Sequence, residues 1–227
     1  MSSDRGPPTT SSGSTVPQEV DESGGDDSQE GPDDITEMPL YQWGRDIALA
    51  LLFAMTVTTL LVAVSGVWPP LAAVSSGSMD PHIQQGDIIV IMEEDRFAPN
   101  AADENSIVTL REGRDVGYRS LGDYGSVIVF TSSDSGTQST VHRAMFYVEE
   151  GENWFDRANP AYLNGAESCQ SLRKCPAPNA GYITKGDANP SYDQAIGMSP
   201  PIHERWIEGT AREKVPFVGW FRLVFGG

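Results

Sequence analysis

At 227 residues, with a formal net charge of −17 and a pI near 4.4, the chain has room for one core domain of ordinary size plus appendages. That balance excludes a general nucleic-acid binder, since no basic surface is available to neutralise phosphates. Acidic residues recur from Asp4 to Glu213, lysine occurs only at Lys174, Lys185 and Lys214, and arginine supplies the rest of the positive charge. Such a composition suits concentrated salt, where repulsion between exposed charges is screened within roughly 3 Å at 1 M; an acidic chain from ordinary salt is the alternative.

Taken in chain order, residues 1–40 are rich in Ser, Gly, Pro, Asp and Glu. They cannot bury enough surface to offset the entropy of ordering, which predicts a disordered acidic tail. Residues 47–67, IALALLFAMTVTTLLVAVSGV, then run without a charge. As a helix they would span about 31 Å, the thickness of a bilayer core. Trp43 and Trp68 bracket the run as interfacial anchors and Pro69-Pro70 ends it, so a transmembrane helix is predicted over residues 45–68. A cleaved secretory signal fits less well, because the run is too long and lies behind a polar stretch. Arg45, the only basic residue close to either end, leans towards a cytoplasmic N-terminus.

Beyond the anchor the pattern changes to short strands: GDIIVIM (86–92), SVIVF (126–130), TVHRAMFYV (140–148) and GYITKG (181–186). Residues 71–227 are therefore predicted to be a mainly β domain with long loops at 93–125 and 149–180, of a length more often functional than idle. The C-terminal VPFVGWFRLVFGG is too short to span a membrane and reads as a last strand, with an interfacial segment as the alternative. Cys169 and Cys175 are too few for a structural zinc site; a loop-closing disulfide and two free thiols both remain open.

Few side chains offer chemistry. His82 follows Pro81 in a loop, and His203 lies in a polar stretch after Pro200-Pro201. His142 lies inside a predicted strand, on the same face as Ala144, Phe146 and Val148 by the period of two. Alone it reads as a hydrogen-bonded core residue. Asp187 and Asp193 in GDANPSYD read, alone, as turn residues. With Ser78 in the Gly-containing turn SSGSMDP, these segments hold the parts of a nucleophile, a base and an orienting carboxylate.

The segments SGSMDP, QGDIIVI, VHRAMFYV and YITKGDANPSYD, in that order, resemble the type I signal peptidases, in particular their archaeal and endoplasmic-reticulum branch. The bacterial branch has a lysine where this chain has His142. Two departures stand out: Ser126 occupies a position where the family usually has Asp, and Ala188 replaces the first Asn of a GDNN turn. The resemblance, together with the acidic composition, implies a haloarchaeal membrane-anchored serine endopeptidase that removes signal peptides after small residues of A-x-A type, without cofactor or metal.

In that reading Ser78 is the nucleophile, His142 the base and Asp193 the residue that orients it. Asp187 is supporting, the Ser76 hydroxyl and the Ser78 N–H form the oxyanion hole, and Met79 contributes to substrate binding. The implied partners are preprotein signal peptides, the bilayer and the secretion translocon, with the catalytic domain outside the cell. A groove near Met79 and the GDIIVI strand is expected to take the substrate as an added strand. Two rival classes are a self-cleaving repressor-type Ser-Lys peptidase, which needs a lysine at position 142, and a non-enzymatic membrane-tethered β domain that binds secreted or envelope proteins.

Overall fold

The computed structural model describes residues 40–96, 98–132, 136 and 138–216. The predicted acidic tail and the apolar C-terminal segment lie outside them, apart from Leu40, Val215 and Pro216. Among the described residues one helix is long and apolar enough to cross a membrane: the Gln42–Ser65 part of α1 (Leu40–Ser65), whose apolar stretch is not buried by the rest of the protein. It starts before the predicted span and stops short of its end, where the Gly66 N–H donates to Val62 O at 2.8 Å. The last turn is then capped from the segment after the second strand. The Glu93 N–H donates to Ser65 O (2.8 Å), and Arg96 Nη1 donates to the carbonyls of Ala63 (2.6 Å) and Val64 (3.2 Å). A guanidinium there satisfies carbonyls that a helix end leaves without partners.

Beyond the start of α1, everything described here belongs to one unit, Leu49–Gly227. Its strands are β1 (Leu71–Ala73), β2 (Ile88–Met92), β3 (Arg119–Ser120), β4 (Asp123–Tyr124), β5 (Val127–Phe130), β6 (Thr140–Val148), β7 (Gly181–Lys185) and β8 (Ile207–Val215). Six form an antiparallel sheet in the order β1-β2-β8-β5-β6-β7, while β3 and β4 pair separately. The fold is therefore mainly β, as predicted, and the four predicted strands occur within two residues of their expected ends.

The sheet is covered on both faces. Along β5, Val127 and Val129 join a cluster with Met79, Ile83, Ile89 and Ile91, whereas Ile128 and Phe130 join one with Ile107, Ala144, Tyr182 and Ile202. Burial on both faces explains why SVIVF reads as a continuous apolar run rather than an alternation. The simple face assignment for β6 needs correction. Its register against β7 shifts between Ala144 and Phe146, and Phe146 and Val148 pack with Trp154, Leu163 and Tyr192 in a third cluster that Ala144 does not join. One extra residue in a strand breaks the period of two.

The long loops carry structure of their own. Segment 93–125 holds α2 (Leu110–Val116), which begins with a capping box between Thr109 and Glu112, and the β3–β4 pair. Segment 149–180 is a series of short 3-10 turns around the buried Trp154, whose indole N–H donates to Lys174 O at 2.9 Å. Cys169 and Cys175 are joined there as a disulfide. A four-residue helix, α3 (Asp193–Ile196), follows β7.

Candidate active site

Three segments distant in sequence meet at one end of β6 and β7. The turn after β1 carries Ser78, β6 carries His142 and the start of α3 carries Asp193. His142 and Asp193 are both buried, at 2% and 0% exposure, and His142 Nδ1 lies 2.7 Å from Asp193 Oδ2. The same carboxylate oxygen accepts from the Thr184 hydroxyl at 2.7 Å. Gln194 locks Thr184 in turn, accepting from its N–H (2.9 Å) and donating to its Oγ1 (3.2 Å), and donates further to Ser199 Oγ and Pro200 O. A carboxylate on Nδ1 fixes the tautomer with the proton on that nitrogen and leaves Nε2 as the basic position. Phe130 packs edge-on against the imidazole, with ring centres 6.5 Å apart.

Ser78 and His142 line one cleft of about 380 Å³, together with Ser76, Thr140, Val141, Asn189 and Met198. Among the described residues the Ser78 hydroxyl bonds only Ser76 Oγ, at 3.3 Å. It has no direct hydrogen bond to His142; nucleophile–base contacts are often long before substrate binds and tighten in the complex. The Ser78 carbonyl is held more firmly, accepting the Ala188 N–H at 2.9 Å. This needs Gly186: a Cβ there would stand 2.5 Å from Ser78 O, so only a glycine lets the two turns come this close.

Two sequence expectations change. Met79 is among the residues that line the cleft but is only 1% exposed, and its sulfur accepts the Asp187 N–H at 3.4 Å. Its position makes it an anchor of the turn rather than a surface offered to substrate. The GDIIVI strand cannot take an added strand either, because β1 and β8 occupy both of its edges. Among the described residues the free edge at the cleft belongs to β6, since β7 pairs with it only from Arg143 onward and leaves residues 140–142 open on that side.

Asp187 stands apart from Asp193. It is clasped by Arg143, which follows His142 in β6, through Nε to Oδ1 (2.9 Å) and Nη2 to Oδ2 (2.7 Å). Arg143 is wholly buried and also donates to the carbonyls of Ser120 and Gly125, both at 2.9 Å. Burial pushes the Asp187 carboxyl up, but Arg143 and His82 together outweigh it and hold the group below the ordinary carboxylate range. A depressed acid contributes stability that is complete above its unfolded value, near ~3.9, and is lost as pH falls through the lower folded value. Acid unfolding followed by tryptophan fluorescence is therefore expected to lose part of its steepness below the ordinary carboxylate range in Asp187→Asn, alongside lower stability at neutral pH.

Lys185, at the end of β7, takes no part in the cleft. Its ammonium donates to the carbonyls of Gly186 (2.7 Å), Asp187 (3.2 Å) and Asn189 (2.8 Å) and sits 4.8 Å from the Tyr162 ring centre. Burial lowers its pKa. It lines a separate cavity of about 290 Å³ with Tyr162 and Asp187. The Lys185 ammonium is thus taken up by the turn's carbonyls, and position 142, where a Ser-Lys arrangement needs a lysine, holds His142. Ser126 is buried and structural, its hydroxyl accepting the Val108 N–H at 3.2 Å. His203 lies outside the cleft, accepting the Arg205 N–H at 3.3 Å.

Sequence reasoning missed Thr184, Gln194, Asn189 and the partner of His82. Thr184 lies in the predicted strand GYITKG, but its role depends on a strand-to-helix contact that no local pattern encodes. Among the described residues no group of His, Cys, Asp and Glu is arranged to hold a metal. In comparison with known proteins, the chain matches no family model and no curated protein.

Proposed function

We propose that this chain is a membrane-anchored serine endopeptidase that removes signal peptides, of the Ser-His-Asp kind that its motifs resemble. The observation that carries the reading is the buried His142–Asp193 pair, with His142 opening on the same cleft as Ser78. In the first step Ser78 Oγ attacks the scissile carbonyl while Nε2 of His142 takes the hydroxyl proton. The Ser78 N–H and the Ser76 hydroxyl stabilise the oxyanion. Nε2 then returns the proton to the leaving amine as the C–N bond breaks, leaving an acyl ester on Ser78. Water, deprotonated by the same imidazole, hydrolyses that ester and restores the serine.

An extended signal-peptide end fits beside the open edge of residues 140–142, and the apolar lining of Val74, Val141 and Met198 suits small side chains. The short link from Ser65 to Ser78 keeps the cleft close to the bilayer surface, where such a peptide leaves the membrane. The disulfide supports a catalytic side facing an oxidising exterior, with the N-terminus in the cytoplasm. The test is incubation of the full chain, in detergent and molar KCl, with a preprotein carrying an A-x-A site. Release of the mature protein at that site supports the proposal. A folded chain that releases no product from a panel of preproteins contradicts it.

A further inference from the structure

The nucleophile turn is fastened to the turn after β7 by contacts that the proton-transfer chain does not use. Ala188 N–H holds the Ser78 carbonyl, Asp187 N–H meets the Met79 sulfur, and His82 Nδ1 lies 2.8 Å from Asp187 Oδ2. His82 closes its own side of the turn as well, its N–H donating to Met79 O at 3.0 Å, while its carbonyl accepts from Lys214. The ring rests in a slot made for it. A Cβ on Gly122, in the turn between β3 and β4, would fall 2.3 Å from His82 Cδ2, and Gly122 has a φ of +92°. A residue other than glycine there would both strain the backbone and evict the imidazole.

We propose that His82 is a positioning residue, which clips the Ser78 turn onto Asp187 and so sets the nucleophile's place relative to His142. The inference rests on the peptidase reading for its effect on rate, but the clip itself does not depend on it. Asp187 is well suited as the fixed post. Arg143 holds it from behind, Arg143 is pinned by the carbonyls of Ser120 and Gly125, and Arg143 adjoins His142 in β6. One ion-paired carboxylate thus gives the nucleophile turn and the base strand a common reference. Removing the imidazole leaves the Arg143–Asp187 pair intact, so the core stays folded while the turn loosens.

Two readouts on the full chain test this. In the first, amide hydrogen exchange at Ala188 reports the bond to Ser78 O without reference to activity. His82→Ala is expected to speed it about tenfold, with β5 amides unchanged, and His82→Asn, whose amide nitrogen can stand where Nδ1 stands, to restore protection. In the second, preprotein cleavage by His82→Ala is expected to show kcat lowered about tenfold with KM within about twofold, as for a misplaced reacting group. His82→Asn recovers most of that loss, and adding His82→Ala to Asp187→Asn lowers kcat little further, because both remove the same contact. Unchanged exchange at Ala188 in His82→Ala overturns the clip. Loss of kcat that Asn does not rescue and that adds fully to Asp187→Asn overturns its action through Asp187. A wild-type chain without cleavage activity defeats the peptidase reading alone and leaves the exchange result to decide the clip.

Discussion

Preprotein cleavage is expected to fall by about 10⁶ in kcat when Ser78 is replaced by Ala, and by a similar factor for His142→Gln. In the proposed mechanism the two act as one unit: the hydroxyl is a poor nucleophile until the imidazole takes its proton, so the double variant is expected to be no worse than either single one. The structure makes Ser78→Ala a clean experiment. Among the described residues the Ser78 hydroxyl bonds only Ser76, whereas the turn is anchored through the Ser78 carbonyl, which alanine retains. His142 is harder to remove, because the ring is buried against Phe130 and partners a buried carboxylate. Glutamine keeps much of the volume and a donor for Asp193, so lost cleavage with retained circular dichroism separates lost chemistry from lost fold. Cleavage by the His142→Gln variant within tenfold of wild type would exclude the imidazole as the base.

The second large effect is at Asp193, where Asn is expected to lower kcat by about 10⁴ while the chain stays folded. The reason lies in the hydrogen-bond inventory. Asp193 Oδ2 accepts from two donors, His142 Nδ1–H and the Thr184 hydroxyl, while Oδ1 is buried without a partner among the described residues. An asparagine that keeps its oxygen toward both donors must bury its NH₂ at the Oδ1 position, which has no hydrogen-bond partner among the described residues. Leaving such donors buried costs about 1–3 kcal/mol. Turned the other way, the NH₂ faces Nδ1 and forces the imidazole into the tautomer with its proton on Nε2. That form cannot take the proton of Ser78. Nitrogen-15 NMR of the imidazole in the Asn variant should report that switch, and an unchanged tautomer together with unchanged kcat would remove Asp193 from its role.

How far the sequence reveals this arrangement depends on the kind of signal. Strands β5, β6 and β7 announce themselves by β-branched and aromatic runs between turn residues, and α1 by its long uncharged run from Ile47 onward. Strand β8 does not. Its sequence IEGTAREKV consists mostly of small and charged residues, and only Gly209, Thr210 and Ala211 are buried, so it carries little apolar signal although it lies between β2 and β5. A Cβ on Gly209 would meet Met92 O at 2.5 Å, so close packing rather than hydrophobicity selects the residue there. Helix α2 has a legible capping box, Thr109 to Glu112, but is too short to establish a period.

At the site, Ser78, His142, Asp187 and Asp193 are recognisable because their segments carry familiar wording in a familiar order. Their division of labour is not local. Nothing in GDANPSYD tells which aspartate meets His142; the answer depends on β7 placing Thr184 beside the first turn of α3, while Arg143 draws Asp187 to the other side. The loop at 149–180 enters by an equally remote route. It packs Tyr162 and Trp154 edge-on against Tyr192, and the Tyr162 carbonyl accepts the Tyr192 N–H at 3.0 Å, which steadies the residue next to Asp193. Such contacts link positions tens of residues apart, and patterns read along the chain cannot see them.

The central claim is that the Ser78 oxygen forms the bond to the substrate. Acid quenching of the full chain during turnover of a preprotein, followed by peptide mass spectrometry, tests it most directly. The predicted result is the signal-peptide acyl group esterified to Ser78, with both adduct and mature product absent in Ser78→Ala. Mature product released at the wild-type rate by Ser78→Ala would contradict it.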